Sequence, residues 1–167
     1  AGWAPEDIVF AGDSAGGALA VTAARALREA SLPMPAALGL ISPWADLHCD
    51  SPSFEENEHL DYGTGAMMRK VAEAVREGRP ADDPLLSPVY ADLSGLPPTL
   101  IHAGGGELMV DDCRRLADRM AEQGVEVEFD AWPEMVHVFH LFARVLPRAE
   151  EAIEELAGFL VGRMGSV

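Results

Sequence analysis

The chain has 167 residues, 49% of them hydrophobic, enough apolar content for one domain with a real core and too much for a disordered chain. Asp and Glu outnumber Lys and Arg 28 to 12, a formal charge of −16, so the phosphate backbone of a nucleic acid would be repelled. The carboxylates are spread along the sequence without forming a block and read as a well-hydrated surface.

Cys49 and Cys113 stand far apart in no CxxC arrangement, which indicates neither a disulfide framework nor a thiolate metal site and suits a reducing, cytoplasmic setting. No run approaches the roughly 20 apolar residues of a membrane span. The opening "AGWAPED" has neither the basic start nor the apolar stretch of a signal peptide. Because Ala1 leads almost directly into a strand, a longer parent protein is expected.

In chain order, Ile8 to Ala11 is a short buried strand, and Ala18 to Arg28, rich in Ala, Leu and Arg, reads as a helix. Between them lies "GDSAGG", Gly12 to Gly17. Ser14 therefore occupies a sharp strand-to-helix turn with Asp13 before it, a strained position that small neighbours, Gly12 and Gly16, make tolerable. After a Pro-punctuated turn, Ala36 to Ile41 form a second buried strand ending in "SPWADL". Asp46 to Gly65 is polar and irregular, and Met67, Val71, Ala74 and Val75 then recur at helical spacing until Gly78. The prolines of "RPADDPLLSPVYADLSGLPP" make most of that stretch a loop.

Thr99 to Ala103 is a third strand, opening into Gly104 to Gly106 and Glu107. Asp111 and Asp112 fit the first turn of a helix carrying Leu116, Ala117 and Met120 and ending at Gly124. "VEVEFDAW" alternates strictly, as a strand with one wet face at a sheet edge does. Ala149, Ile153, Leu156 and Leu160 stripe a final helix. No repeat, linker or low-complexity tract interrupts residues 1–167, which read as one unit.

Strands alternating with helices imply an α/β fold, a mostly parallel sheet with helices on both faces, whose ligands gather at the carboxyl ends of the strands. Ser14 follows the first strand, Glu107 the third and His137 the fourth. A serine hydroxyl becomes a nucleophile when a histidine takes its proton, and a carboxylate fixes that histidine's tautomer and stabilises its charged form. The order serine, acid, histidine is that of the α/β-hydrolase architecture.

"GDSAGG" at Gly12 to Gly17, with "DPLLSPVYADLSGLPPTLIHAGG" and "VEVEFDAWPEMVHVFHLF", resembles the carboxyl-terminal part of the hormone-sensitive-lipase-like branch of the α/β hydrolases, over nearly the whole chain. The resemblance implies a serine carboxylic-ester hydrolase acting on short acyl esters. Ser14 would be the nucleophile and His137, in "HVF" with Val138 in place of the usual glycine, the base. Matching "ELMVDD" to the family's acidic segment puts Glu107 at the acid position, with Asp111 and Asp112 as second choices better read as an acidic first turn. The Ala15 N–H would serve the oxyanion hole. The family's HGGG segment, which supplies further oxyanion donors, does not precede Gly12, and the family's N-terminal strands and cap are not in the sequence. The expected fold is thus a truncated α/β-hydrolase whose nucleophile strand has one unpaired apolar edge. No metal or organic cofactor is expected; the partner is a small ester.

Simpler roles compete for each residue. Ser14 alone could cap a helix, and His137 alone could satisfy a turn. His140 could share a helix face with His137, but no third ligand accompanies the pair. His48, Cys49, Asp50 and His59 show no recognised ligand spacing and read as loop polarity. Gly104 to Gly106 lack the Lys-Ser/Thr of a phosphate loop and instead permit a tight turn beside the acid. Trp44 and Trp132 read as core or pocket wall. The rival functional classes are a non-catalytic ligand-binding module on the same fold and an inactive fragment.

Overall fold

The computed structural model describes residues 4–165; the first three residues of the opening stretch and the last two lie outside them. Four strands, β1 (Val9–Asp13), β2 (Ala37–Ile41), β3 (Thr99–Gly104) and β4 (Val127–Trp132), form one parallel sheet in the order β1-β2-β3-β4. Five helices accompany them: α1 (Ala15–Glu29), α2 (Ser53–Glu56), α3 (Gly65–Arg76), α4 (Val110–Glu122) and α5 (Pro147–Val161). Short 3-10 turns lie at Pro88–Tyr90 and Phe139–Phe142. The expected α/β order stands, with elements one to three residues longer or shorter than their apolar runs because backbone pairing continues past the last buried side chain.

Strand alternation sends side chains to two cores. Leu38, Leu40, Ile101 and Ala103 pack with Val21 and Ala24 of α1 and Leu116 and Met120 of α4. Ala37 and Leu100 face the other way, onto Leu156, Phe159 and Leu160 of α5. Helices therefore cover both faces. β4 is an edge, as its alternation implies, and β1 pairs with β2 alone among the described residues, leaving Ala11 exposed.

Two apolar stripes face differently from the simple pattern. Met67, Val71 and Val75 of α3 are exposed, while Ala72 is buried and Met68 packs partly against the main core. On α5, Ile153 is exposed and Ala152 and Phe159 are buried instead. The irregular stretch after β2 is also more ordered than its polarity suggests: Trp44, Leu47 and Phe54 enter the main core and α2 forms within it. Among the described residues, no helix is long and apolar enough to cross a membrane.

Candidate active site

Ser14 is the cap residue between β1 and α1, at φ 52° and ψ −120°, a backbone conformation that typically costs about 1–3 kcal/mol and needs outside support. Its N–H donates to the Ile41 carbonyl at 2.9 Å, and its own carbonyl accepts from Gly17 N–H at 3.0 Å and Trp44 N–H at 2.9 Å. The end of β2 thus clamps the turn. A Cβ on Gly12 would collide with the Gly16 carbonyl, so glycine is required there. At Gly16 a Cβ would meet only Asp13 Oδ1 at 3.9 Å, an ordinary contact, whereas at Gly17 it would press on Pro43 at 2.8 Å. The steric demand assigned to Gly16 from its spacing therefore falls on Gly17, because the helix turns that residue toward the "SPW" segment. Asp13 is exposed at the strand end.

His137 reaches Ser14 from the loop after β4, with Nε2 3.0 Å from Oγ. An imidazole with its proton on Nδ1 accepts the serine hydroxyl proton in this arrangement. The Nδ1 faces Glu107 Oε1 at 3.5 Å, and Glu107 is fully buried. The other carboxylate oxygen, Oε2, accepts from Ser42 Oγ at 2.6 Å and from the Gly104 N–H at 2.7 Å, a compensation that a buried carboxylate requires. Ser14, Glu107 and His137 are therefore brought together, and Ala15 begins the helix whose unpaired N-terminal N–H groups and positive dipole end adjoin the serine.

The competing acids lie elsewhere. Asp111 accepts from the Ser53 N–H at 2.9 Å, tying α4 to α2. Asp112 is buried and pairs with Arg115 at 3.3 Å, and burial together with the Asp46 carboxylate pushes its carboxyl up to about 7. An acidic first turn accounts for Asp111, but Asp112 is a buried charge pair rather than a solvated one.

Three residues that sequence reasoning passed over hold the site together. Ser42, besides binding Glu107, accepts the Val138 N–H at 3.1 Å, so one hydroxyl joins Glu107 to the loop of His137. Asp61 does the same from outside: Oδ2 accepts from Leu108 N–H at 3.0 Å and Oδ1 from His137 N–H at 3.3 Å. Asn57 donates to the Glu107 carbonyl at 2.9 Å. The "S" of "SPW" directly after a buried strand was the available signal; the Asn and Asp of a polar loop offered none. Val138 takes a left-handed conformation at φ 48°, where the resembling family's usual glycine would rest without strain.

The glycine triplet has a packing role. A Cβ on Gly104 would overlap the carbonyl groups of Met135 and Val136, so glycine lets the loop bearing His137 lie directly on the end of β3. Cys113 lies 3.9 Å from Glu107 Oε1, and burial, reinforced by that carboxylate, pushes its thiol well above the usual range, so it stays protonated. His140 does not share a face with His137; it turns to His102, Nε2 to Nδ1 at 3.1 Å, and burial lowers both rings to about 4. His48 binds Asp46 at 2.8 Å and lies near Tyr90, in a loop network apart from Ser14, Glu107 and His137.

An apolar pocket of about 160 Å³ opens beside Ala15, walled by Ala18, Leu19, Trp44, Val75 and Leu86. Val75 of the exposed α3 stripe and Trp44 thus both serve as pocket wall.

A family model described as alpha/beta hydrolase fold matches residues 1–141. The chain is 44% identical over 160 residues to an acetyl-hydrolase of Streptomyces hygroscopicus, covering 95% of this chain and 54% of the relative. It is 32% identical over 157 residues to an esterase of Acinetobacter venetianus, covering 93% of this chain and 52% of that one. The crystal structure of an esterase from the bacterial hormone-sensitive lipase family superposes with a TM-score of 0.95 at 39% identity, covering 98% of this chain and 56% of the other. The chain spans about half the length of the curated relatives it matches.

Proposed function

This chain belongs to the α/β-hydrolase family, and from that premise we propose that it carries the catalytic triad of a serine carboxylic-ester hydrolase for short acyl esters. The observation that carries the reading is the line from Glu107 Oε1 to His137 Nδ1 at 3.5 Å and from His137 Nε2 to Ser14 Oγ at 3.0 Å. Ser14 attacks the ester carbonyl as His137 takes its proton. The imidazolium so formed is stabilised by Glu107, and the tetrahedral oxyanion is met by the Ala15 N–H at the start of α1. His137 then protonates the leaving alcohol, the acyl-enzyme forms on Ser14, and water activated by the same histidine releases the acid.

Glu107 suits this role because Ser42 and Gly104 saturate Oε2 and leave Oε1 for the imidazole. The pocket of about 160 Å³ beside Ala15 accepts a short acyl chain, which agrees with the acetyl-hydrolase name of one relative. The chemistry needs no metal or organic cofactor. Both cysteines are buried free thiols, which favours a reducing compartment such as the cytoplasm.

The test is intact mass after incubation with a fluorophosphonate probe. One adduct in the wild type and none in Ser14→Ala is the expected result. A folded sample without adduct would overturn the reading in favour of a binding module or an inactive piece of the fold.

A further inference from the structure

His102 sits in β3 opposite Asp130 of β4, and register partners on neighbouring strands project to the same face. That face, shared with Leu100, is the one α5 covers, and α5 brings Glu155 over the pair. His102 is 0% exposed, yet its Nε2 has no hydrogen-bond partner. Glu155 Oε2 stands 4.0 Å away, beyond hydrogen-bond reach. One nitrogen of His102 and one oxygen from each of Asp130 and Glu155 all lie within 4.8 Å of one another.

A buried imidazole nitrogen without a partner is costly, and two carboxylates facing it repel each other. A water could bridge a gap of this size but would leave the like charges opposed.

We propose that His102 Nε2, Asp130 and Glu155 bind one divalent transition-metal cation of the Zn²⁺ type. One imidazole and two carboxylates are a donor set that Zn²⁺ accepts, with metal–ligand lengths of about 2.0–2.2 Å. Donor atoms in such a tetrahedral shell stand about 3.4 Å apart, so the observed spacing needs a contraction of under about 1.5 Å. The half-exposed Glu155 side chain supplies it by rotation. Two carboxylates neutralise the ion, and the chain's charge of −16 raises the local cation concentration.

His102 has a second neighbour, His140, on its other ring nitrogen. His102 Nδ1 is 3.1 Å from His140 Nε2, and in the tautomer with its proton on Nδ1 the Nδ1–H donates to His140 while the Nε2 lone pair is available to a cation between the carboxylates. A metal-binding histidine is ordinarily fixed through its other nitrogen in this way. His140 lies three residues after His137, so an occupied site ties the loop of the base to β3 and α5. The role is structural: the ion touches no reacting atom.

The experiment is calorimetric titration of the full chain with ZnCl₂ after EDTA treatment and dialysis into a non-coordinating buffer. It is repeated on Glu155→Gln, Asp130→Asn and the control Glu151→Gln, with circular dichroism confirming the fold of each. One equivalent should bind the wild type and the control, raise the melting temperature, and bind at least about tenfold more weakly to each of the other two. Co²⁺ in place of Zn²⁺ should give visible absorption characteristic of a tetrahedral site. Absence of saturable binding to the wild type overturns the proposal. So does binding that survives both Glu155→Gln and Asp130→Asn, which would place the ion on other surface carboxylates. The outcome is independent of the hydrolase reading, since it is read without substrate.

Discussion

Ser42→Ala is the sharpest test of how the proposed triad is held. The hydroxyl donates to Glu107 Oε2 at 2.6 Å and accepts the Val138 N–H at 3.1 Å, and the residue is completely buried, so no solvent replaces either bond. Losing a hydrogen bond to a charged group costs roughly 1.5–3 kcal/mol, and leaving a buried N–H unpaired roughly 1–3 kcal/mol. Glu107 keeps its bond from the Gly104 N–H, which places the expected loss near the lower sum, about 2.5 kcal/mol. The same deletion frees Oε1 and the His137 loop to shift against each other. A catalytic loss of about 10- to 100-fold in kcat, with KM nearly unchanged, corresponds to roughly 1.4–2.7 kcal/mol of transition-state stabilisation. Urea denaturation followed by circular dichroism reads the first quantity, and initial rates on p-nitrophenyl acetate the second. A stability change under about 0.5 kcal/mol together with an unaltered kcat would show that Ser42 is not the link between acid and base loops.

Gly104→Ala should abolish most activity and destabilise the fold by about 1–3 kcal/mol or more, because its methyl group would occupy the space of the Met135 and Val136 carbonyls; the melting temperature and probe labelling of Ser14 check this. Asp112, with its carboxyl raised to about 7, binds its proton more tightly folded than unfolded. Stability should therefore fall as pH rises from about 4 to 7, by at most about 1.4 kcal/mol per pH unit. Asp112→Asn should flatten that stretch of a denaturation-against-pH curve, and an unchanged slope would refute the assignment. Val75→Trp, filling the pocket beside Ala15 from its exposed rim, should lower the butyrate-to-acetate ratio of kcat/KM about tenfold, from two methylenes at about 0.8 kcal/mol each. An unchanged ratio would place the acyl group elsewhere.

The sequence by itself determined the parts governed by near neighbours. The apolar run into "GDSAGG" sets a strand, a strained turn and a helix from local sterics, and the order of Ser14, Glu107 and His137 after three strands follows once the sheet is parallel. Periodicity likewise predicted β4 as an edge. The tertiary structure alone decided what depends on residues distant in sequence. Ser42 and Asp61 each join segments that only folding brings together, and nothing in a serine after a strand or an aspartate in a polar loop specifies such a bridge. The same holds for which glycine must be bare: spacing named Gly16, but the packing of Pro43 selects Gly17. His140 followed the same logic, since short-range spacing pairs it with His137, whereas the 3-10 turn from Phe139 to Phe142 directs it to His102 on a neighbouring strand. Local patterns fix backbone conformation because their energies are local; the aim of a side chain is fixed by partners that the chain meets only after the sheet has formed.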